Sequence, residues 1–422
     1  QAEDGIRDCL LSRGLGDVYK RQLFEPRRAE RTCALQTSDH RSAANAQPTN
    51  CSAPGVSSSA KTPSSPQSQG EMPVTVNKID TSVVAETLRQ QIREDVAIVP
   101  GARPRLVGFL ANKDPAARKY AEWTGRACTK DGIDYVLKEV EACDLEGALK
   151  EANEDAGVHG ILIYYPVFGA EPSFYGGSMD DQLRDNIEPT KDVEGLCKKY
   201  RDNLYRNVRR VDKWRRSVVP CTPLAVVKCL EHCGQHTGAK DSGMAGKVVA
   251  VVNRSEVVGR PLAAMLANDG ATVYSIDIDS IYVMERGRMT RTDVTPDDAI
   301  KAADVVVLGV PSPQYKLPVA TLKKGAVVVN VSGFKNLGDA QEGDDADYTY
   351  IPLVGRVTVA CLERNLLTLY KQYHVGKISL RYRLAEEVSK LGDVLGDEAS
   401  ATKRHYVLAG LGVALLYAFL KR

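Results

Sequence analysis

The stretch Lys247–Asp279, KVVAVVNRSEVVGRPLAAMLANDGATVYSIDID, limits the fold more than any other part of the 422-residue chain. Lys247–Val252 is a short β-branched run, followed by the polar turn Asn253-Arg254-Ser255. Gly259-Arg260-Pro261 then opens an apolar-periodic helix through Leu266, with Pro261 suited to a first helical position. Asn268-Asp269-Gly270 stops that helix, and Thr272–Ile276 supplies a second strand that ends in Asp277. In a parallel sheet such a unit aims the helix N-terminus, with its free backbone N–H groups and positive dipole end, at a pyrophosphate. An acid after the second strand accepts from a ribose hydroxyl. Asn253 and Ser255 stand about where the first two glycines of G-x-G-x-x-G would be, so the unit alone also fits a purely structural βαβ element. Ala303–Val310 and Gly325–Val331 are nearly continuous apolar runs, as expected of strands buried on both faces, and they extend the reading to a doubly wound parallel sheet.

A second α/β pattern precedes this one. Strands are expected at Arg105–Ala111, Ile133–Val140 and His159–Val167, and helices at Pro115–Lys130 and Leu145–Asn153. Pro166, Gly169 and Gly176-Gly177 mark an irregular loop before a helix at Met179–Ile187. Lys191–Leu196 (KDVEGL) lies in a loop, and Pro220-Cys221-Thr222-Pro223 introduces a helix over Leu224–Cys233. Val357–Tyr370 has helical spacing and crosses back to the first domain, leaving a cleft between the two. The expected division is a first α/β domain over 72–220, a Rossmann-type domain over 221–355, a returning helix over 356–376 and a tail over 377–422.

The 56 basic and 54 acidic residues leave a formal charge of +2, which gives no support for a nucleic-acid partner. Ten scattered cysteines, with no C-x-x-C pair and no histidine cluster, read as reduced thiols rather than as a metal site. Residues 1–71 are set apart from the fold. Gln1–Gln22 looks like translated adapter DNA, and Leu23–Glu71 is a Ser/Ala/Pro/Gln-rich segment expected to be disordered. With those residues discounted, the cytosol is the default compartment. Tyr406–Leu420 is an uncharged run of 15 residues between basic pairs; it fits a helix packed on protein as well as a C-terminal membrane anchor, and so leaves membrane association open.

Several segments, in order, resemble the methylenetetrahydrofolate dehydrogenase family, and most closely its monofunctional NAD-dependent eukaryotic branch. They are VGFLANKDPAARKYAEWT (Val107–Thr124), ILIYYPVFG (Ile161–Gly169), KDVEGL, PCTP, VVNRSEVVGRPLAAMLANDGATVYS (Val251–Ser275) and GRVTVACL (Gly355–Leu362). The resemblance covers roughly Met72–Val375. It implies a folate cleft between two domains, a tetrahydrofolate derivative as substrate, NAD as cofactor and a homodimer formed through the nucleotide domain. It places Tyr120 at the reacting carbon, and Tyr164, Pro166, Glu194 and Asp192 around the pterin. It assigns cofactor contacts to Asn253, Arg254, Ser255, Val258, Gly259, Arg260, Pro261, Val310, Pro311 and Thr358, with Asp277 or Asp279 toward the adenosine ribose.

The departures from the family pattern bear on activity. Members that also hydrolyse the methenyl product carry a helical Tyr-x-x-x-Lys, and here Tyr120 is followed one turn later by Thr124. Their glutamine before the Leu-Pro of the central strand is replaced by Tyr164. The expected activity is therefore NAD-dependent oxidation of 5,10-methylenetetrahydrofolate to 5,10-methenyltetrahydrofolate without cyclohydrolase. Asp277 favours NAD by repelling a 2′-phosphate, whereas Arg254 occupies a position where NADP-using members place an arginine. A bifunctional dehydrogenase/cyclohydrolase and a catalytically silent, membrane-tethered dinucleotide-binding protein are the competing readings.

Overall fold

The computed structural model describes residues 75–99, 101–169, 171–213, 215–340 and 347–375. Tyr406–Leu420 lies outside the described residues, among which no helix is long and apolar enough to cross a membrane. Eleven strands form two sheets among the described residues. The smaller has the order β3 (Asp134–Glu139), β2 (Arg105–Leu110), β4 (Gly160–Ile163), all parallel.

The larger sheet runs β1 (Thr75–Lys78), β11 (Asp347–Ile351), β10 (Ala326–Asn330), β9 (Val305–Leu308), β5 (Val248–Val252), β6 (Thr272–Ile276), β7 (Ile281–Glu285), β8 (Arg288–Thr292). Its first six strands are parallel and its last two antiparallel. β9 and β10 are buried along their whole length, which is why they read as unbroken apolar runs. The chain passes from β5 outward to β6, then returns to the other side of β5 to make β9. That reversal creates a crevice at the carboxyl ends of β5 and β9, where α/β sheets bind their ligands.

The helices are α1 (Thr81–Ile98), α2 (Pro115–Lys130), α3 (Leu145–Glu154), α4 (Met179–Asp185), α5 (Lys198–Tyr205), α6 (Cys221–His232), α7 (Gly259–Asn268), α8 (Pro296–Ala302) and α9 (Gly355–Leu369). α9 is buried along most of its length and packs chiefly on α1 and α6. Its Asn365 amide donates to the carbonyls of Val193 and Val219, each at 2.9 Å. One side chain thus ties the KDVEGL loop to the segment entering α6.

Several element boundaries shift by one or two residues from expectation, and three departures involve prolines. α7 starts at Gly259, so Pro261 is its third residue rather than its first, and α6 starts at Cys221, which puts Pro223 inside its first turn. A first turn tolerates proline because its N–H groups have no carbonyl four residues back to bond. β4 stops at Ile163 and does not run to Val167. Tyr164 makes the last bond to β2, its N–H reaching the Phe109 carbonyl at 2.9 Å, and Pro166, joined to Tyr165 by a cis peptide, has no N–H to continue. Asn112 instead holds this turn, donating to the carbonyls of Tyr164 and Pro166 at 2.7 and 2.9 Å.

A histidine pin fastens the end of α9 to the smaller sheet. His159 Nδ1 accepts from the Arg105 N–H at 2.9 Å, and its ring meets those of Tyr370 and His374 at 4.7 and 5.2 Å between centroids. Burial, then the neighbouring His374, Arg105 and Lys191, push the His159 pKa down to about 4. The unfolded chain therefore binds an extra proton between about pH 6.5 and 4, so the pin's contribution is complete above that window and is lost as pH falls through it. Chemical denaturation should show stability falling by up to about 1.4 kcal/mol per pH unit between pH 6.5 and 4.5, and His159→Gln should flatten this slope. An unchanged slope in the variant would assign the acid sensitivity to other groups.

Candidate functional site

The crevice end of the larger sheet is built on a backbone contact. A Cβ at Gly259 would lie 1.8 Å from the carbonyl oxygen of Asn253, so only a hydrogen lets the loop lie flat against the start of α7. Asn253 adopts φ +89°, a left-handed conformation that Asn tolerates better than most residues. Its amide donates to the Gly309 carbonyl at 2.6 Å, bridging the ends of β5 and β9 across the chain reversal. Val252, Asn253, Ser255, Val258, Gly259 and Val331 line a small cavity there, of about 20 Å³.

Ser255, three residues before the N-cap Val258, ties the loop to the start of α7. Its hydroxyl accepts from the N–H groups of Val258 and Gly259, each at 3.2 Å, and its carbonyl accepts from Arg260 N–H at 2.9 Å. The expectation of free N–H groups at this helix start is corrected at these three residues, because the serine already satisfies them. What the helix offers an anion is its positive dipole end. The Arg260 side chain turns to Glu256 and to the ring of Tyr205, 5.7 Å away. Pro261 is buried within the first turn of α7. Val310 N–H donates to Asn336 Oδ1 at 2.9 Å, and its carbonyl accepts from Ser332 at 2.8 Å, which fixes the approach to Pro311. Thr358 is fully buried in α9 and donates back to Val354 at 3.2 Å.

Arg254 faces the turn between β6 and β7. Its Nε donates to Ser275 Oγ at 3.0 Å, one terminal nitrogen to Ser280 Oγ at 3.0 Å, and the other to the carbonyls of Ser275 and Ser280 at 2.6 and 2.9 Å. The Ser280-facing nitrogen is also 4.0 Å from Asp277, and the guanidinium lies over the Tyr282 ring at 4.5 Å. These four hydrogen bonds engage all three nitrogens of the guanidinium. Asp277 accepts from the Ile278 N–H at 3.0 Å, while Asp279 sits exposed in the same turn.

The other half of the candidate site is aromatic. Tyr120 on α2 is buried, meets Tyr164 edge-on at 5.9 Å between centroids, and stacks on Trp123 at 6.4 Å. The Tyr164 hydroxyl is 2.8 Å from that of Tyr135, with fully buried Thr124 beside it. Burial, reinforced by the neighbouring Tyr135, raises the Tyr164 pKa well above the ordinary phenol value, and burial raises that of Tyr135. Both are neutral phenols across the physiological range. Tyr135 was missed by sequence reasoning, although its slot carries a signal: a Cβ at Gly108 or at Gly125 would meet the Tyr135 side chain at 2.7 Å.

The KDVEGL loop is held by its own polar side chains. Asp192 is buried and accepts from the N–H groups of Gly195 and Cys197 at 2.9 and 2.7 Å. Lys191 donates to the carbonyls of Ala152, Asn153 and Asp155, closing the C-terminal end of α3. Glu194 is also buried, and its carbonyl accepts from Cys221 N–H at 3.1 Å at the start of α6. Tyr164 and Tyr120 therefore touch. Asp192 and Glu194 both lie within electrostatic reach of Tyr165, the residue bonded to Pro166.

The tightness at Gly259 gives a direct prediction. Gly259→Ala forces the Asn253 carbonyl away, costing about 3 kcal/mol and weakening NAD binding by about tenfold or more, as read by denaturation and calorimetric titration. Unchanged affinity in a folded variant would remove the Asn253–Gly259 contact from the cofactor site.

Two family models match the chain: the catalytic domain of tetrahydrofolate dehydrogenase/cyclohydrolase over residues 79–194 and its NAD(P)-binding domain over 220–374. The chain is 44% identical over 304 residues to "Methylenetetrahydrofolate dehydrogenase [NAD(+)]" of Dictyostelium discoideum, covering 69% of this chain and 94% of that one. It is 46% identical over 300 residues to the protein of the same name from Schizosaccharomyces pombe, covering 68% and 91%. Among solved structures, the NAD-dependent 5,10-methylenetetrahydrofolate dehydrogenase from Saccharomyces cerevisiae matches with a TM-score of 0.65 and 40% identity, over 72% of this chain and all of that one. With both domains matched in order and such identity over nearly the whole length of these relatives, the chain belongs to the tetrahydrofolate dehydrogenase/cyclohydrolase family.

Proposed function

We propose that this protein oxidises 5,10-methylenetetrahydrofolate to 5,10-methenyltetrahydrofolate with NAD as hydride acceptor, and that it lacks cyclohydrolase activity. The observation that carries the reading is the Tyr120–Tyr164–Tyr135 cluster with Thr124 one turn beyond Tyr120. These groups position and desolvate a substrate, and neither Tyr135 nor Tyr164 gives up its proton near neutral pH. That suits hydride loss from a carbon held between two nitrogens, because the resulting cation is delocalised over both and no base is required. It does not suit activating water, for which a lysine one turn from Tyr120 would be the natural group.

Bound NAD supplies the hydride acceptor. The residues present fit such a group: the flat Asn253–Gly259 loop leaves room beside the helix start, and the positive end of α7 favours a pyrophosphate. Ser255 and Val258 would lie nearest the phosphates, with Val310 and Pro311 beside the nicotinamide half. Asp277 would face the ribose, and its charge disfavours a 2′-phosphate. The hydrogen bonds of Arg254 support the same choice, since a 2′-phosphate would have to draw it from Ser275 and Ser280. Tyr120, Tyr164, Pro166 and Glu194 would surround the pterin. Asp192 would act through its loop, and the family resemblance supports a homodimer.

With methylenetetrahydrofolate, absorbance at 340 nm should rise with NAD at a kcat/KM at least about tenfold above that with NADP. Arg254→Ala should loosen the turn and raise KM for NAD without creating NADP activity. A variant that kept NAD turnover while losing an appreciable NADP rate would show Arg254 to be a phosphate clamp instead. Failure of folded wild-type protein to reduce either nucleotide would overturn the proposed activity.

A further inference from the structure

A second cavity lies away from the cofactor crevice. It has a volume of about 300 Å³ and sits at the C-terminal end of α7, against α5 and the stretches 207–210 and 216–219. Ten helical residues separate the two ends of α7, a span of about 15 Å. The volume is at the lower limit for sites that enclose small organic ligands.

The charge of this cavity is one-sided. Arg209, Arg210, Arg216 and Lys240 line it, against the single carboxylate of Asp269. Asp269 is already paired, with Arg209 at 2.8 Å and His236 at 3.2 Å, and Arg209 also holds Asp241 at 3.0 Å. Among the described residues, Arg210, Arg216 and Lys240 have no carboxylate partner; Arg210 donates only to the Lys213 carbonyl, at 2.7 Å. Val208, Val219 and Met265 add an apolar lining.

The backbone holds two of these exposed charges opposite each other. Two backbone hydrogen bonds pair the flanking stretches, Val211 N–H to Arg215 O at 2.9 Å and Ser217 N–H to Arg209 O at 3.1 Å. Arg210 and Arg216 pair directly in an antiparallel bridge. Gln372 holds the second stretch, accepting from Arg216 N–H and donating to the Arg216 carbonyl. Like charges directly opposite each other on paired strands are destabilising, and an oxyanion between them reverses the sign of that interaction.

We propose that this cavity is a second ligand site, for a small organic anion: a phosphate ester with an apolar body. Arg210, Arg216 and Lys240 take the phosphate, and Val208, Val219 and Met265 take the body. The site is separate from the dehydrogenase chemistry, so its occupation does not depend on the proposed reaction.

The test uses full-length protein with saturating NAD, which blocks the cofactor crevice, and phenyl phosphate as the probe in calorimetric titration. Inorganic phosphate and benzyl alcohol are the half-ligand controls. One phenyl phosphate per chain should bind more tightly than either control. Arg210→Ala/Arg216→Ala and, separately, Lys240→Glu should weaken binding by about tenfold or more without altering NAD-linked turnover. Equal binding by the folded variants, or no saturable binding by the wild type up to ~10 mM, would overturn the proposal.

Discussion

The Asn253–Gly259 contact is the constraint on which the cofactor half of this protein depends. A carbonyl oxygen occupies the place where any other residue at 259 would carry its Cβ. The close approach sets the path of the loop, which lets Ser255 reach two N–H groups of α7 and lets the Asn253 amide cross to Gly309. A motif lacking two of its usual glycines therefore still makes a compact strand-to-helix turn. Asn253 takes over the left-handed conformation, and Ser255 supplies hydrogen bonds that glycine has no side chain to make.

The other half is organised around Tyr164, whose immediate neighbours are uncharged. Two phenols share a hydrogen bond, a threonine fills the position one turn after Tyr120, and two glycines make the slot for Tyr135. The charged residues of the adjacent loop have structural tasks: Lys191 closes α3, and Asp192 gathers the N–H groups of its own turn. Burial keeps Tyr135 and Tyr164 neutral. α9 then joins the halves, with Asn365 holding Val193 and Val219 together from a fully packed helix.

Much of this was legible in the sequence because the parallel strands are buried on both faces and the helices carry periodic apolar stripes. Thr272–Ile276 and Pro115–Lys130 have the boundaries their patterns indicate. The parallel pairing of Thr75–Lys78 with Asp347–Ile351 was not legible, since strand partners far apart in the chain leave no periodic trace. The β7–β8 hairpin was also missed. Its turn uses Arg286 at φ +42° before Gly287, a dipeptide without the usual asparagine or aspartate cue. At the site, Arg254 was read as ambiguous because residue type does not reveal where a long side chain turns. Its hydrogen bonds to Ser275 and Ser280, supplied by the next strand and turn, resolve that direction.

A site lined by neutral phenols and a threonine should perform one redox step and leave the methenyl product intact. The direct measurement is the decay of added 5,10-methenyltetrahydrofolate at its own absorbance maximum, with and without enzyme, in a buffer that does not accelerate its hydrolysis. The same decay rate is expected in both samples, at enzyme concentrations that give rapid NAD reduction from the methylene substrate. An enzyme-dependent decay, saturable in methenyltetrahydrofolate and lost in Tyr120→Phe, would contradict it.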